Sequence, residues 1–158
     1  MISLKLPDGG VQQAPGGISG KELIAGLEPA LKKEVICLKV DGNLADLSAT
    51  LPDGAEVELV LKPAPEALEV LRHSAAHIMA QAVKRIFKDV KLAIGPAIEN
   101  GFYYDFDLPR PLTPEDLTAI EAEMKKIIKE DLPFQRIVLP QEEALAFLEK
   151  QGEKFKVE

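Results

Sequence analysis

The tetrapeptide Lys62-Pro63-Ala64-Pro65 separates two stretches of unlike periodicity, and no single repeating element accommodates both. Two prolines in four residues remove backbone donors and favour extended backbone. They predict a first domain over residues 1–62, a linker over 63–66 and a second domain over 67–158. At roughly 150 residues per domain, a chain of 158 is one domain or two small ones. Hydrophobic residues make up 46% and charged residues 28%, enough apolar material to offset chain entropy.

The first stretch reads as short strands around one helix. Ile2, Leu4 and Leu6 alternate with polar positions, Pro7-Asp8-Gly9-Gly10 marks a turn, and Val11 to Gln13 fits a returning strand. Ser19-Gly20-Lys21-Glu22 has the Ser-x-x-Glu form of a capping box ahead of Leu23, Ile24 and Leu27. Val35 to Val40 is a strand ended by Asp41-Gly42-Asn43, and Val57 to Leu61 is another. Strand, strand, helix, strand, strand in about sixty residues predicts a small sheet wrapped around one helix, a β-grasp arrangement.

The second stretch begins with a long helix, Glu66 to Phe87, with Leu68, Leu71, Ala75, Ile78, Ala82 and Ile86 on one stripe. Asn100-Gly101 between apolar runs predicts a hairpin over Lys91 to Leu108, with Glu99 opposite Phe102 and Ala97 opposite Tyr104. Thr113-Pro114 opens a second helix with an apolar face of Leu117, Ile120, Met124, Ile127 and Ile128, stopped by Leu132-Pro133. A strand at Arg136 to Leu139, a helix at Gln141 to Lys150 and the start of a strand at Phe155 to Val157 complete the expectation. The fold class is α+β.

Charge and cysteine content narrow the function. The formal net charge is −7, with 6 basic and 9 acidic groups in residues 1–62 and 13 and 17 in the rest. Neither part has the basic excess of a module that holds nucleic acid by bulk charge. Cys37 is the sole cysteine, which excludes an internal disulfide and fits a reducing, cytoplasmic compartment. The start, MISLKLPDGG, lacks the pattern of a signal peptide, and no apolar run approaches the ~18 residues of a membrane span.

Both histidines fall in His73-Ser74-Ala75-Ala76-His77. At about 100° per residue from Leu71, they lie near 200° and 240°, away from the apolar stripe and beside Ala76, Ala80 and Lys84. Two imidazoles one turn apart suit a metal, or one can serve as acid or base beside the other; a solvated helix face is the plain alternative. Zinc takes three or four protein ligands, and Cys37 lies in the other domain, so no metal site is assigned. On the hairpin, Phe102, Tyr104 and Phe106 share one face, and Tyr103 and Asp105 the other. Phe102 and Phe106 are assigned to core, while the tyrosine hydroxyls and Asp105 are left open between core and site. Gly95-Pro96 interrupts the first strand and leaves a gap for a ligand or a backbone to approach. The sequence has no phosphate loop, nucleophile elbow or Cys-x-x-Cys. Two basic clusters, Lys84, Arg85, Lys88 and Lys91, then Lys125, Lys126 and Lys129, read as solvated helix faces.

Leu71-Arg72-His73-Ser74-Ala75-Ala76-His77, Ala93-Ile94-Gly95-Pro96 and Glu99-Asn100-Gly101-Phe102-Tyr103-Tyr104-Asp105-Phe106 together resemble the N-terminal region of bacterial threonyl-tRNA synthetases. The resemblance covers the whole chain. It implies a ubiquitin-like TGS domain over 1–62 and part of an α+β editing domain over 67–158. By this resemblance the function is hydrolysis of serine wrongly attached to threonine tRNA. Catalytic positions are His73, His77 and Lys156; substrate-binding positions are Tyr104 and, more weakly, Gly95. In the family a Cys-x-x-x-His segment further along the chain completes the histidine pair. The resemblance also implies a parent that joins threonine to tRNA with ATP, that uses magnesium and zinc through a catalytic core this sequence does not contain, and that forms a homodimer. The chain is accordingly expected to be a piece of a longer protein with little activity alone, without cofactor or membrane partner of its own. Two alternatives stand beside it: a stand-alone hydrolase acting in trans, and a non-catalytic TGS adaptor binding RNA or protein.

Overall fold

In the computed structural model, which describes residues 1–133, 135–153 and 156, the chain forms two compact units, Met1–Leu71 and Arg72–Glu158. The first is built on strands β1 (Ile2–Lys5) and β2 (Val11–Ala14), paired antiparallel from Ile2 opposite Ala14 to Lys5 opposite Val11. Helices α1 (Gly20–Ala25) and α2 (Pro29–Lys32) follow, then β3 (Val35–Val40), β4 (Asn43–Ala45) and β5 (Val57–Leu61). β3 lies between β4 and β5, antiparallel to both. Lys5 forms a parallel bridge to Glu56, and its N–H donates to the Ala55 carbonyl at 2.8 Å, which joins β1 to the chain entering β5.

Local chemistry explains these elements. Ser19 caps α1: its hydroxyl accepts the Glu22 N–H, while the Glu22 carboxylate accepts the Ser19 N–H at 2.8 Å. Asp41 and Gly42 both have positive φ, 50° and 79°, the two-residue turn whose twist matches a hairpin. That turn adds β4, which the sequence expectation lacked; α2, opened by Pro29, was also unforeseen. Leu23 and Ile24 of α1 pack on Leu4, Ala14, Leu38 and Val57 of the strands. Leu4 and Leu38 are fully buried, each contributing about 1.5–3 kcal/mol.

Residues 63–66, expected as an extended linker, are instead a turn followed by the first residues of helix α3 (Pro65–Ile86). Proline at a helix start loses no hydrogen bond, because that N–H has no intrahelical partner. The first residues of α3 belong to the first unit. Ala67 is buried with Cys37 and Val60, and Glu66 accepts from Lys39 at 2.7 Å. The division between units falls inside α3, after Leu71.

In the second unit, α3 buries a different face from the one its apolar stripe predicts. Ala76, Ala80 and Val83 are buried, while Leu71 at 42% exposure and Ile86 at 37% are open to solvent. Ala82 and the half-buried Ile78 are the stripe members that do reach the core. Ala80, Ala82 and Val83 share a core with Leu92, Ile120 and Ile127, so tertiary packing overrides the hydropathy of the larger residues.

The hairpin is four short strands: β6 (Lys91–Leu92), β7 (Ala97–Ile98), β8 (Gly101–Phe102) and β9 (Phe106–Asp107). β7 pairs with β8 and β6 with β9. Ile98 faces Gly101 and Ala97 faces Phe102, so Glu99-Asn100 is the loop, one residue earlier than predicted, and Ala97 pairs two residues away from the expected Tyr104. Gly101, at φ 152°, occupies the first strand position after the loop. Between the paired segments, residues 93–96 face 103–105, which places one extra residue in the first strand as a bulge.

Helix α4 (Pro114–Glu130) starts at a Thr113–Asp116 capping box and ends at Asp131 in the left-handed conformation, φ 48°. Of its predicted apolar face, Ile120 and Ile127 are buried and Met124 packs against the core, but Leu117 and Ile128 are exposed. Arg85 of α3 binds Glu130 through two bonds, 2.7 and 2.8 Å, and Glu123 at 3.2 Å, fixing one helix to the other. Arg136 to Leu139 is not a strand; its backbone has no sheet partner among the described residues, and Ile137 and Val138 are exposed. Helix α5 (Gln141–Lys150) follows as expected. The strand predicted at Phe155 to Val157 lies outside the described residues apart from Lys156, whose N–H donates to the Glu153 carbonyl at 3.0 Å.

Candidate functional site

The histidine pair is set by α3. One helical turn brings His73 Nε2 and His77 Nε2 to 2.8 Å, with ring centroids 4.7 Å apart and planes at 45°. One Nε2 therefore donates to the other. A tetrahedral zinc needs its two nitrogens roughly 3.3 Å apart, so this arrangement is a hydrogen bond rather than a ligand pair. Burial, the neighbouring His73 and then Lys156 push the His77 midpoint below its ordinary value. At neutral pH His77 is thus an uncharged imidazole able to accept a proton.

His77 opens onto a cleft of about 330 Å³ within the second unit, lined also by Ala80, Gln81, Lys84, Arg85, Leu92, Tyr104 and Lys156. Tyr104 reaches it from the hairpin. Its ring stacks on Phe106, centroids 5.0 Å apart, and lies directly against Gly95. Burial and then the negative charge of Glu153 push the Tyr104 phenol up, so it stays protonated and can donate. Tyr103 and Asp105, on the other face of the hairpin, are exposed.

Three predicted positions, His77, Tyr104 and Lys156, therefore line one cleft, and His73 joins through its bond to His77. Gly95 does not leave the open gap expected of it, because the Tyr104 ring fills that space. Sequence reasoning missed two residues. Lys84, taken for a solvated face, is in the cleft, and it forms an ion pair with Glu153. Glu153 is the buried acid of the described residues, 8% exposed, and its Oε2 stands 4.0 Å from Lys156 Nζ. An acid three positions before a site lysine was the available signal.

Among the described residues, no three His, Cys, Asp or Glu side chains are grouped to hold a metal ion. No described helix is long and apolar enough to cross a membrane.

No protein-family model matches the chain. Individual relatives do. The chain is 51% identical over 158 residues to a threonine–tRNA ligase of Carboxydothermus hydrogenoformans and 50% identical over 160 residues to that of Halalkalibacterium halodurans. It is 49% identical over 157 residues to that of Citrifermentans bemidjiense. Each match covers 99–100% of this chain and 25% of the relative, so the chain spans about a quarter of the length of the curated relatives it matches. The class these relatives define is the aminoacyl-tRNA synthetases. Within it, the chain is similar over its whole length to the N-terminal quarter of bacterial threonine–tRNA ligases.

Proposed function

We propose that the chain is the N-terminal part of a threonine–tRNA ligase, and that its second unit carries part of a hydrolytic site which removes serine wrongly esterified to threonine tRNA. The observation that supports this best is the convergence of His77, Tyr104 and Lys156 on one cleft in a chain alike throughout to such ligases. The parent's synthetic activity, joining threonine to tRNA with ATP, and its tRNA partner are part of the same proposal. The need is physical. Serine lacks one methyl of threonine, and a missing methyl costs only ~1–3 kcal/mol of binding, so a second, hydrolytic sieve is required.

In this reading a water oxygen attacks the ester carbonyl carbon while the uncharged His77 takes the water proton. Lys156 offsets negative charge on the carbonyl oxygen, and the Tyr104 hydroxyl orients the ester. The bond from the carbonyl carbon to the ribose oxygen then breaks, the ribose oxygen receives the proton, and serine and tRNA leave. In this reading the cleft holds part of the machinery, so this chain alone hydrolyses slowly. With net charge −7, most tRNA affinity comes from the rest of the parent.

The test measures release of labelled serine from seryl-tRNA by the purified chain, by a full-length relative and by that relative with the equivalents of His73 and His77 changed to alanine. The expectation is a fall of about a hundredfold or more in the double variant, the scale of a lost general base. A chain that matches the full-length rate would reject the view that the site is partial. Undiminished hydrolysis by the alanine variant would reject the site itself and favour a non-catalytic adaptor.

A further inference from the structure

Glu153 is the one acid among the described residues that is nine-tenths buried, and it pairs with two lysines that line the cleft. A carboxylate leaves water only when its charge is paired and its oxygens are satisfied. Here the two oxygens face two cations, one on α3 and one three residues further along the chain: Oε1 pairs with Lys84 Nζ, and Oε2 stands 4.0 Å from Lys156 Nζ, an ion pair longer than a hydrogen bond. Both lysines are only partly exposed, 43% and 39% along their side chains, and both line the cleft beside His77 and Tyr104.

We infer that Glu153 is a positioning residue whose carboxylate clamps Lys84 and Lys156 together so that both ammonium groups are held at the cleft. The charge geometry requires such a group. Two ammonium ions converging on one small cleft repel one another and would swing into water on their flexible stems. One carboxylate between them cancels that repulsion and leaves the pair with a net charge of about +1, suited to an oxyanion or an ester oxygen. Glu153 also lies near enough to Tyr104 for its charge to act on the phenol, while Lys156 acts on His77. A single buried acid thereby sets the positions of the groups that would meet the ester. Gly152, with φ 74°, turns the chain after α5 so that Glu153 points inward.

This inference rests on the reading of the cleft as an ester-hydrolysing site, but the clamp itself can be observed without substrate. The experiment uses the full chain and its Glu153→Gln, Glu153→Asp, Lys156→Met and Glu153→Gln/Lys156→Met variants. Nitrogen-15 spectra of the lysine ammonium groups report which are held, because a clamped ammonium exchanges slowly with water. Affinity for an amide analogue of seryl-adenosine reports the site.

The clamp predicts slowed exchange at Lys84 and Lys156 in the parent chain, loss of both protected signals in Glu153→Gln, and their partial return in Glu153→Asp. It predicts analogue binding weakened about tenfold by Glu153→Gln, with the double variant no weaker than Lys156→Met. Unchanged ammonium signals in Glu153→Gln, or a double variant whose loss is the product of the two single losses, would overturn it. If Glu153→Gln does not fold, protected signals that persist in Glu153→Asp support the clamp, and their absence from the parent chain rejects it. Failure of the parent chain to bind the analogue counts against the hydrolytic reading alone, because the ammonium spectra still decide the clamp.

Discussion

The ring of Tyr104 occupies the space that a side chain at position 95 would fill: a Cβ built on Gly95 would stand 2.0 Å from Tyr104 Cδ2 and 2.6 Å from Cγ. The ring also stacks on Phe106, which limits its retreat. Tyr104 thereby lines the cleft with its ring seated over Gly95, in the bulge between β6 and β7. Gly95→Ala forces the ring out, which disturbs both core and cleft. The expected cost is about 1–3 kcal/mol, the usual range for overpacking. Urea unfolding followed through the tyrosine signals checks it, and unchanged stability with an unmoved Tyr104 ring would show that the contact is soft.

His77 gives a pH signature. Its midpoint in the folded chain lies below the ordinary histidine value, first through burial, then through His73 and Lys156. The unfolded chain therefore binds the proton more tightly. Stability is unaffected above the ordinary value of about 6.5, falls as pH drops below it, and levels off below the folded midpoint. Histidine proton shifts followed by NMR should place His77 on the acid side of ordinary. Lys156→Met should raise the midpoint without restoring it fully, since burial and His73 remain. A midpoint indifferent to Lys156 would separate the lysine from the histidine pair.

The start of α4 responds to acid with the opposite origin. Arg110 binds Asp116 at 2.6 and 2.9 Å, and the Thr113 N–H donates to it at 2.8 Å. These contacts hold the Asp116 carboxyl far below the usual carboxylate range. Their contribution is complete above the unfolded value of about 3.9 and is lost as pH falls through the folded midpoint. Thr113→Ala should cost about 0.5–2 kcal/mol at neutral pH, the range for a helix cap. Amide exchange at the first turn of α4 reads both effects, and equal protection in the variant would discount the cap.

The histidine pair should not hold zinc tightly. Its nitrogens are hydrogen-bonded at 2.8 Å, and no third ligand is grouped with them among the described residues. Metal analysis of chain purified without chelator is expected to find far less than one zinc per chain. One tightly bound zinc per chain would mean that the pair rearranges to accept it.

Much of the local structure was legible because it depends on neighbours in sequence. The Ser19 capping box, the Thr113 helix start and helix α5 follow from side chains and backbone groups a few residues apart. The resemblance to threonine–tRNA ligases was legible for a related reason, since three short strings carry it. The hairpin was legible as a hairpin but not in register. Asn-Gly marks a turn, yet Gly101 takes the first strand position and the bulge around Gly95 shifts the rest.

The short-range chemistry of the sequence alone determined the helix caps and the i, i+4 meeting of His73 and His77. Only the tertiary structure decided which face of α3 is buried, that Tyr104 fills the space over Gly95, and that Glu153 lies between Lys84 and Lys156. The reason is reach. A cap or a helical turn is fixed by bonds within four or five residues, whereas Glu153 and Lys84 are 69 positions apart. Their meeting depends on how α3, the hairpin and the turn after α5 pack together, which no local pattern records.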